Sequence, residues 1–275
     1  MLASFVITFR ETLEVALITG IILSYLIQTK QEKYNNVVYV GITSGIIASL
    51  IGAFFFTSVA GGFEGTTEEI FEGMTMIFGA VLITTMILWM MHQKQLALKI
   101  RKEVQAQLEN ASRIGLFLLV FVSVLREGIE TVIFLGAASF VDADLDFLLG
   151  AFGGIVAATI LGVILFVGSK KINIKTFFTV TSILLILFAA GLMAHGIHEL
   201  QEAHVIIFLG ETAWDINPPV NADGSYPELH EKGLLGSFFK QLFGYNGNPT
   251  VLEVIVYAVY LLLVFVGIKK FEKKN

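Results

Sequence analysis

The chain has 275 residues, 55% of them hydrophobic and 15% charged, with a formal net charge of −5. Its mean hydropathy of +0.78 is more than a soluble domain needs, because such a domain presents much of its surface to water. There is no cysteine, which excludes disulfides, thiolate metal sites and thiol redox motifs; a bound metal would have to use carboxylate, imidazole, hydroxyl or carbonyl ligands.

Seven apolar segments follow one another at about 2–28, 37–59, 70–91, 114–138, 147–168, 176–200 and 251–268. Each is near the ~20 residues that cross a bilayer as a helix. The expected class is an all-α integral membrane protein of seven transmembrane helices, with the lipid bilayer as its partner. The first segment lacks a basic start and is interrupted by Arg10-Glu11, so it reads as a retained helix and not a cleaved signal peptide. The second carries small residues at every fourth position, Gly41, Gly45, Ser49 and Ala53. Glu64, Glu68, Glu69 and Glu72 stand before and at the start of the third. The fourth contains Arg126-Glu127-Gly128-Ile129-Glu130, matching Arg10-Glu11-Thr12-Leu13-Glu14 in the first. Asp142, Asp144 and Asp146 precede the fifth; the rest of an EF-hand loop is missing, so they read as an acidic turn. The fifth repeats the small-residue row with Gly150, Gly154, Ala158 and Gly162. The sixth ends on His195, His198-Glu199-Leu200-Gln201-Glu202 and His204. Residues 210–249 hold all four prolines and many polar residues, which predicts a solvated loop.

Of the 18 basic residues, all but Arg10, Arg126, Lys232 and Lys240 lie in the loops after segments one, three, five and seven. Cytoplasmic loops retain Lys and Arg, so the expected topology is N-terminus out and C-terminus in. The paired motifs and paired small-residue rows define an internal repeat, about 1–91 and about 113–209, followed by the extracytoplasmic loop and the seventh helix at about 251–268. Three helices separate the copies, so the halves are inverted, a transporter architecture with its site near the midplane. All of 1–275 forms one permease-like transmembrane domain. Small-residue rows let helices approach closely, either within one chain or between copies in a homo-oligomer.

Residues at positions 0, 1 and 4 of a helix share one face, which groups Arg10, Glu11 and Glu14, and likewise Arg126, Glu127 and Glu130. Six charges near the bilayer centre would cost on the order of 15 to 20 kcal/mol if left alone. A buried ion-pair network joining the two helices is one resolution, but two Arg balance only two of four Glu. A bound cation neutralises the remainder, and oxygen ligands suit Fe³⁺, Mg²⁺, Mn²⁺ or Ca²⁺. Arg10 and Arg126 then orient the carboxylates and balance charge in the empty site.

The two motifs, Glu69-Ile70-Phe71-Glu72-Gly73 opening the third segment, and Leu242-Phe243-Gly244-Tyr245 before the seventh together resemble the oxidase-dependent iron permease family of fungi and bacteria. The likeness runs over nearly the whole chain; the second motif departs from the usual pattern only in having Ile129 for Leu. The resemblance implies iron transport across the plasma membrane, with Glu11, Glu14, Glu127 and Glu130 as translocation ligands. It implies Fe³⁺ supplied by a separate extracytoplasmic oxidase or iron-binding partner, iron as transported substrate, and no organic cofactor. No nucleotide-binding motif is present, and no nucleic-acid partner is expected.

Glu68, Glu69, Glu72, His198, Glu199 and Glu202 form an expected outer acidic entrance that concentrates cations. Ordinary solvated helix ends are the competing reading. His195, His198 and His204 are candidate ligands, while His-Glu-x-x-His is absent and speaks against a zinc hydrolase. Trp89 and Tyr257 read as interface markers. A carrier for another divalent cation, or a proton-coupled transporter, is the alternative function; an enzyme is not expected.

Overall fold

A computed structural model describes residues 1–92, 96–141, 145–167, 174–221 and 223–272. Asp142 and Asp144, like Lys94, Lys170, Lys171, Lys273 and Lys274, lie outside the described residues. The described chain is helical: α1 (Leu2–Gln28), α2 (Asn35–Ala60), α3 (Thr66–His92), α4 (Leu96–Glu109), α5 (Arg113–Ser139), α6 (Leu145–Val167), α7 (Ile174–Glu202), α8 (Leu234–Phe243) and α9 (Val251–Glu272). Among the described residues the only β-type pairing is an isolated bridge, Thr212 with Thr250. By length and composition α2, α3, α6, α7 and α9 can each cross a membrane. The two charged motifs sit in α1 and α5, each 27 residues long.

The helices start and stop where local chemistry dictates. Ser112 caps α5, its hydroxyl accepting from the Gly115 amide at 2.9 Å. Thr250 and Glu253 form a capping box at α9: the Thr250 amide donates to Glu253 Oε1 (2.9 Å) and the Glu253 amide to Thr250 Oγ1 (3.3 Å). α8 closes on Gly244, whose φ of +67° falls in the left-handed region that glycine adopts freely. A Cβ there would also strike the Gly191 backbone of α7, so glycine at both positions lets α8 seat on α7.

The most extensive interfaces join α1 to α6, α2 to α5 and α3 to α7. Glycine rows make the first two. A Cβ on Gly41 would stand 2.9 Å from Val120 Cβ, and one on Gly45 2.8 Å from Val124 Cβ. On the other side Gly150 meets Ser4, Gly154 meets Thr8, and a Cβ on Gly162 would stand 2.8 Å from Ala16 Cβ. Ser4 and Thr8 precede Arg10 just as Val120 and Val124 precede Arg126. The two rows therefore pack against corresponding positions of the motif helices, within one chain. Ser4 Oγ and Thr8 Oγ1 reinforce the α1–α6 seam by donating to the carbonyls of Phe147 and Ala151, each at 2.8 Å.

Two helices depart from the sequence expectation. α4 lies in what reads as a basic loop; its Ile100 and Val104 are buried against Ile22, Leu26, Val38 and Leu116. α8 lies inside the stretch expected to be a solvated loop.

Candidate metal centre

α1 and α5 carry their motifs toward each other in the interior. Arg10 is fully buried, and Glu11, Glu14 and Glu127 are buried with it. The Arg10 fork divides: Nη1 lies 2.5 Å from Glu11 Oε1 and Nη2 2.8 Å from Glu14 Oε1. The same two nitrogens face the thioether sulfurs of Met86 and Met90 on α3. Arg126 uses Nε to hold Glu130 Oε1 at 2.8 Å and keeps Nη2 3.7 Å from Glu127 Oε1. Its side chain is 42% exposed and stacks on the Trp89 ring at 4.7 Å.

Carboxylate oxygens of Glu11, Glu14 and Glu127 lie within 4.8 Å of one another, close enough to share one ion. Glu130, the fourth expected ligand, is outside that trio. It stands on a cleft of about 370 Å³ between α3 and α5, with Trp89, Thr85 and Arg126. One oxygen of each of the four glutamates (Glu11 Oε2, Glu14 Oε1, Glu127 Oε2, Glu130 Oε2) is buried without a hydrogen-bond partner. Glu14 Oε1 is near Arg10 Nη2 but off the line of its N–H bonds. Buried oxygens of this kind cost free energy unless something compensates them, and the Glu11, Glu14 and Glu127 oxygens are close enough for one cation to do so.

A second cluster forms where α3 begins and α7 ends. Gly73 and Gly196 cross so closely that a Cβ on Gly73 would lie 2.7 Å from the Gly196 carbonyl oxygen and 3.2 Å from Glu199 Cβ. That crossing, which explains the glycine after Glu72, sets Glu72 beside Glu199. Glu68 and Glu69 lie in the first turn of α3. His198 is pinned between two carboxylates, Nδ1 to Glu253 at 2.9 Å and Nε2 to Glu202 at 3.2 Å. His195 lies 3.7 Å from Glu199 and stacks on His198. His204 instead turns Nδ1 to the Glu202 carbonyl.

Glu253 escapes the sequence reading, although the Thr250-x-x-Glu253 spacing signals a cap. It is almost fully buried, receives Asn246 Nδ2 at 3.0 Å, and ties α9 to α7 through His198. Met86 and Met90 were equally silent, since nothing in the α3 sequence marks them as neighbours of Arg10.

The sequence profile of the iron permease FTR1 family matches residues 1–271. The chain belongs to that family. It is 32% identical over 268 residues to "Ferrous iron permease EfeU" of Yersinia pestis, covering 95% of this chain and 91% of the relative. It is 33% identical over 264 residues to the protein of that name in Yersinia pseudotuberculosis (94% and 88%). The Escherichia coli O6:H1 protein of the same name is 32% identical over 265 residues (95% and 93%). No solved structure matches. Family membership and the long apolar helices together make this a multi-pass membrane protein of iron transport.

Proposed function

We propose that the chain carries iron across the plasma membrane into the cytoplasm through the glutamates of α1 and α5. The observation behind this is the buried trio Glu11, Glu14 and Glu127, whose carboxylate oxygens lie within 4.8 Å of one another, with Glu130 on the adjoining cleft. Arg10 holds Glu11 and Glu14 in place while the site is empty, and Arg126 does the same for Glu130 at the mouth. α1, α2, α3, α5, α6, α7 and α9 are the seven spans in this reading, N-terminus out and C-terminus in. The matching registers of the α1–α6 and α2–α5 seams support an inverted repeat, with α9 added and residues 210–249 outside. The cluster of Glu68, Glu69, Glu72, Glu199, Glu202 and His198 is then the outer entrance.

The relatives' name points to Fe²⁺, whereas the family resemblance read from sequence implied Fe³⁺ from an extracytoplasmic oxidase or iron-binding partner. We take Fe²⁺ as the ion at the central site, with the partner acting upstream. Radioactive iron uptake in sealed vesicles tests both levels. Glu14→Ala with Glu130→Ala should lower uptake at least about a hundredfold, as loss of two charged ligands implies; uptake that survives the double change sinks the pathway. A ferrous chelator that leaves wild-type uptake intact would refute Fe²⁺ and restore the ferric reading.

A further inference from the structure

Trp89 lies near the end of α3, where an aromatic residue ordinarily marks the membrane interface. Its surroundings give it more to do. The Arg126 guanidinium stacks on the indole face at 4.7 Å while its Nε holds Glu130 at 2.8 Å. Trp89, Arg126 and Glu130 all line the cleft of about 370 Å³ between α3 and α5. Arg126 sits at the midpoint of α5 (Arg113–Ser139) and is 42% exposed there. With α5 read as a span, a half-exposed guanidinium at its midpoint is costly against hydrocarbon, which favours a water-filled cleft.

We propose that Trp89 is a positioning residue of the transport site: it fixes Arg126 at the mouth of a water-filled cleft and so keeps Glu130 where it can join the Glu11–Glu14–Glu127 trio around a cation. This rests on the reading of the four glutamates as the iron path. The chemistry is that of a cation held on an aromatic face. Any flat ring in this place serves; an aliphatic side chain of similar bulk does not. An interface anchor would behave otherwise, altering the amount of protein in the membrane and leaving the affinity of each molecule unchanged.

Iron uptake normalised to protein in the membrane separates the two roles. Trp89→Leu is expected to raise KM about fivefold, the scale of one lost cation–aromatic contact, with the maximal rate per molecule retained. Trp89→Phe restores most of the affinity. An unchanged KM in Trp89→Leu, with only the protein level lowered, overturns the proposal. The hydrated cleft is checked without iron. The chain has no cysteine of its own, so Thr85→Cys places one thiol on the cleft wall. A charged, membrane-impermeant thiol reagent should modify it in sealed vesicles of one orientation. No modification from either side means that lipid or a second copy fills the cleft, and the proposal fails even if the glutamate pathway stands. If the pathway fails instead, Thr85→Cys labelling persists while uptake ignores Glu14→Ala and Glu130→Ala.

Discussion

The two copies of Arg-Glu-x-x-Glu have the same charges in the same order, yet they occupy different surroundings. In α1 the arginine is sealed: no part of its side chain is exposed, and methionine sulfurs of α3 cover both terminal nitrogens. In α5 the arginine is 42% exposed on a cleft, with the Trp89 face for a neighbour. One helix, α3, makes the difference, covering the first copy with Met86 and Met90 and leaving the second open beside Trp89. The two copies thus differ in freedom, one sealed and one open on a cleft, because a buried arginine cannot move without uncovering charge.

If that division holds, the largest contrast is between the arginines. Arg10→Leu leaves Glu11 and Glu14 buried beside no cation and should destabilise the protein by about 3 to 5 kcal/mol, read as a lowered Tm in detergent. Arg126→Leu, at a half-exposed pair, should cost about 1 kcal/mol or less. The lysine variants sharpen the point. The Arg10 fork serves two carboxylates at 2.5 and 2.8 Å, which one ammonium group cannot do; Arg10→Lys should therefore lose uptake nearly as Arg10→Leu does, while Arg126→Lys keeps most of it. Equal losses at both positions would erase the distinction. The glycine seams should, by contrast, behave alike in both halves. Gly45→Val and Gly154→Val each force a side chain into a filled interface, for about 1 to 3 kcal/mol, and a variant that leaves Tm unchanged would show its seam to be loose. A similarly small effect belongs to the second cluster. Glu253→Gln keeps the cap geometry but weakens the hold on His198, by about 1 kcal/mol, seen as a small Tm loss that exceeds that of Glu202→Gln.

Most of the architecture was legible in the residues. The apolar segments coincide with α1, α2, α3, α5, α6, α7 and α9 to within a few residues, because a run of some twenty apolar side chains has few other stable forms in lipid. The small-residue rows were visible too, and their partners turn out to be within the chain. α4 was missed because Lys99, Arg101, Lys102 and Glu103 hide the spacing of Ile100, Val104 and Leu108, whose fourfold step is the helical signal. α8 was missed because prolines on both sides mask ten helical residues. That each Arg-Glu-x-x-Glu copy shares one helix face was readable; the unequal exposure of Arg10 and Arg126 was not. That inequality comes from residues 76 and 80 positions away in the chain, Met86 and Met90, and no local pattern encodes such a neighbour.

The pairing of α1 with α6 also orders events in time. α1 finds its main contact only in α6, through Ser4 and Thr8 bonding to carbonyls 143 residues later. During synthesis the face of α1 that carries Ser4 and Thr8 must therefore wait until more than half of the chain has followed. Newly made protein truncated after α5 should accordingly be the species that cellular quality control removes fastest, since the Ser4 and Thr8 face of α1 still lacks its partner helix.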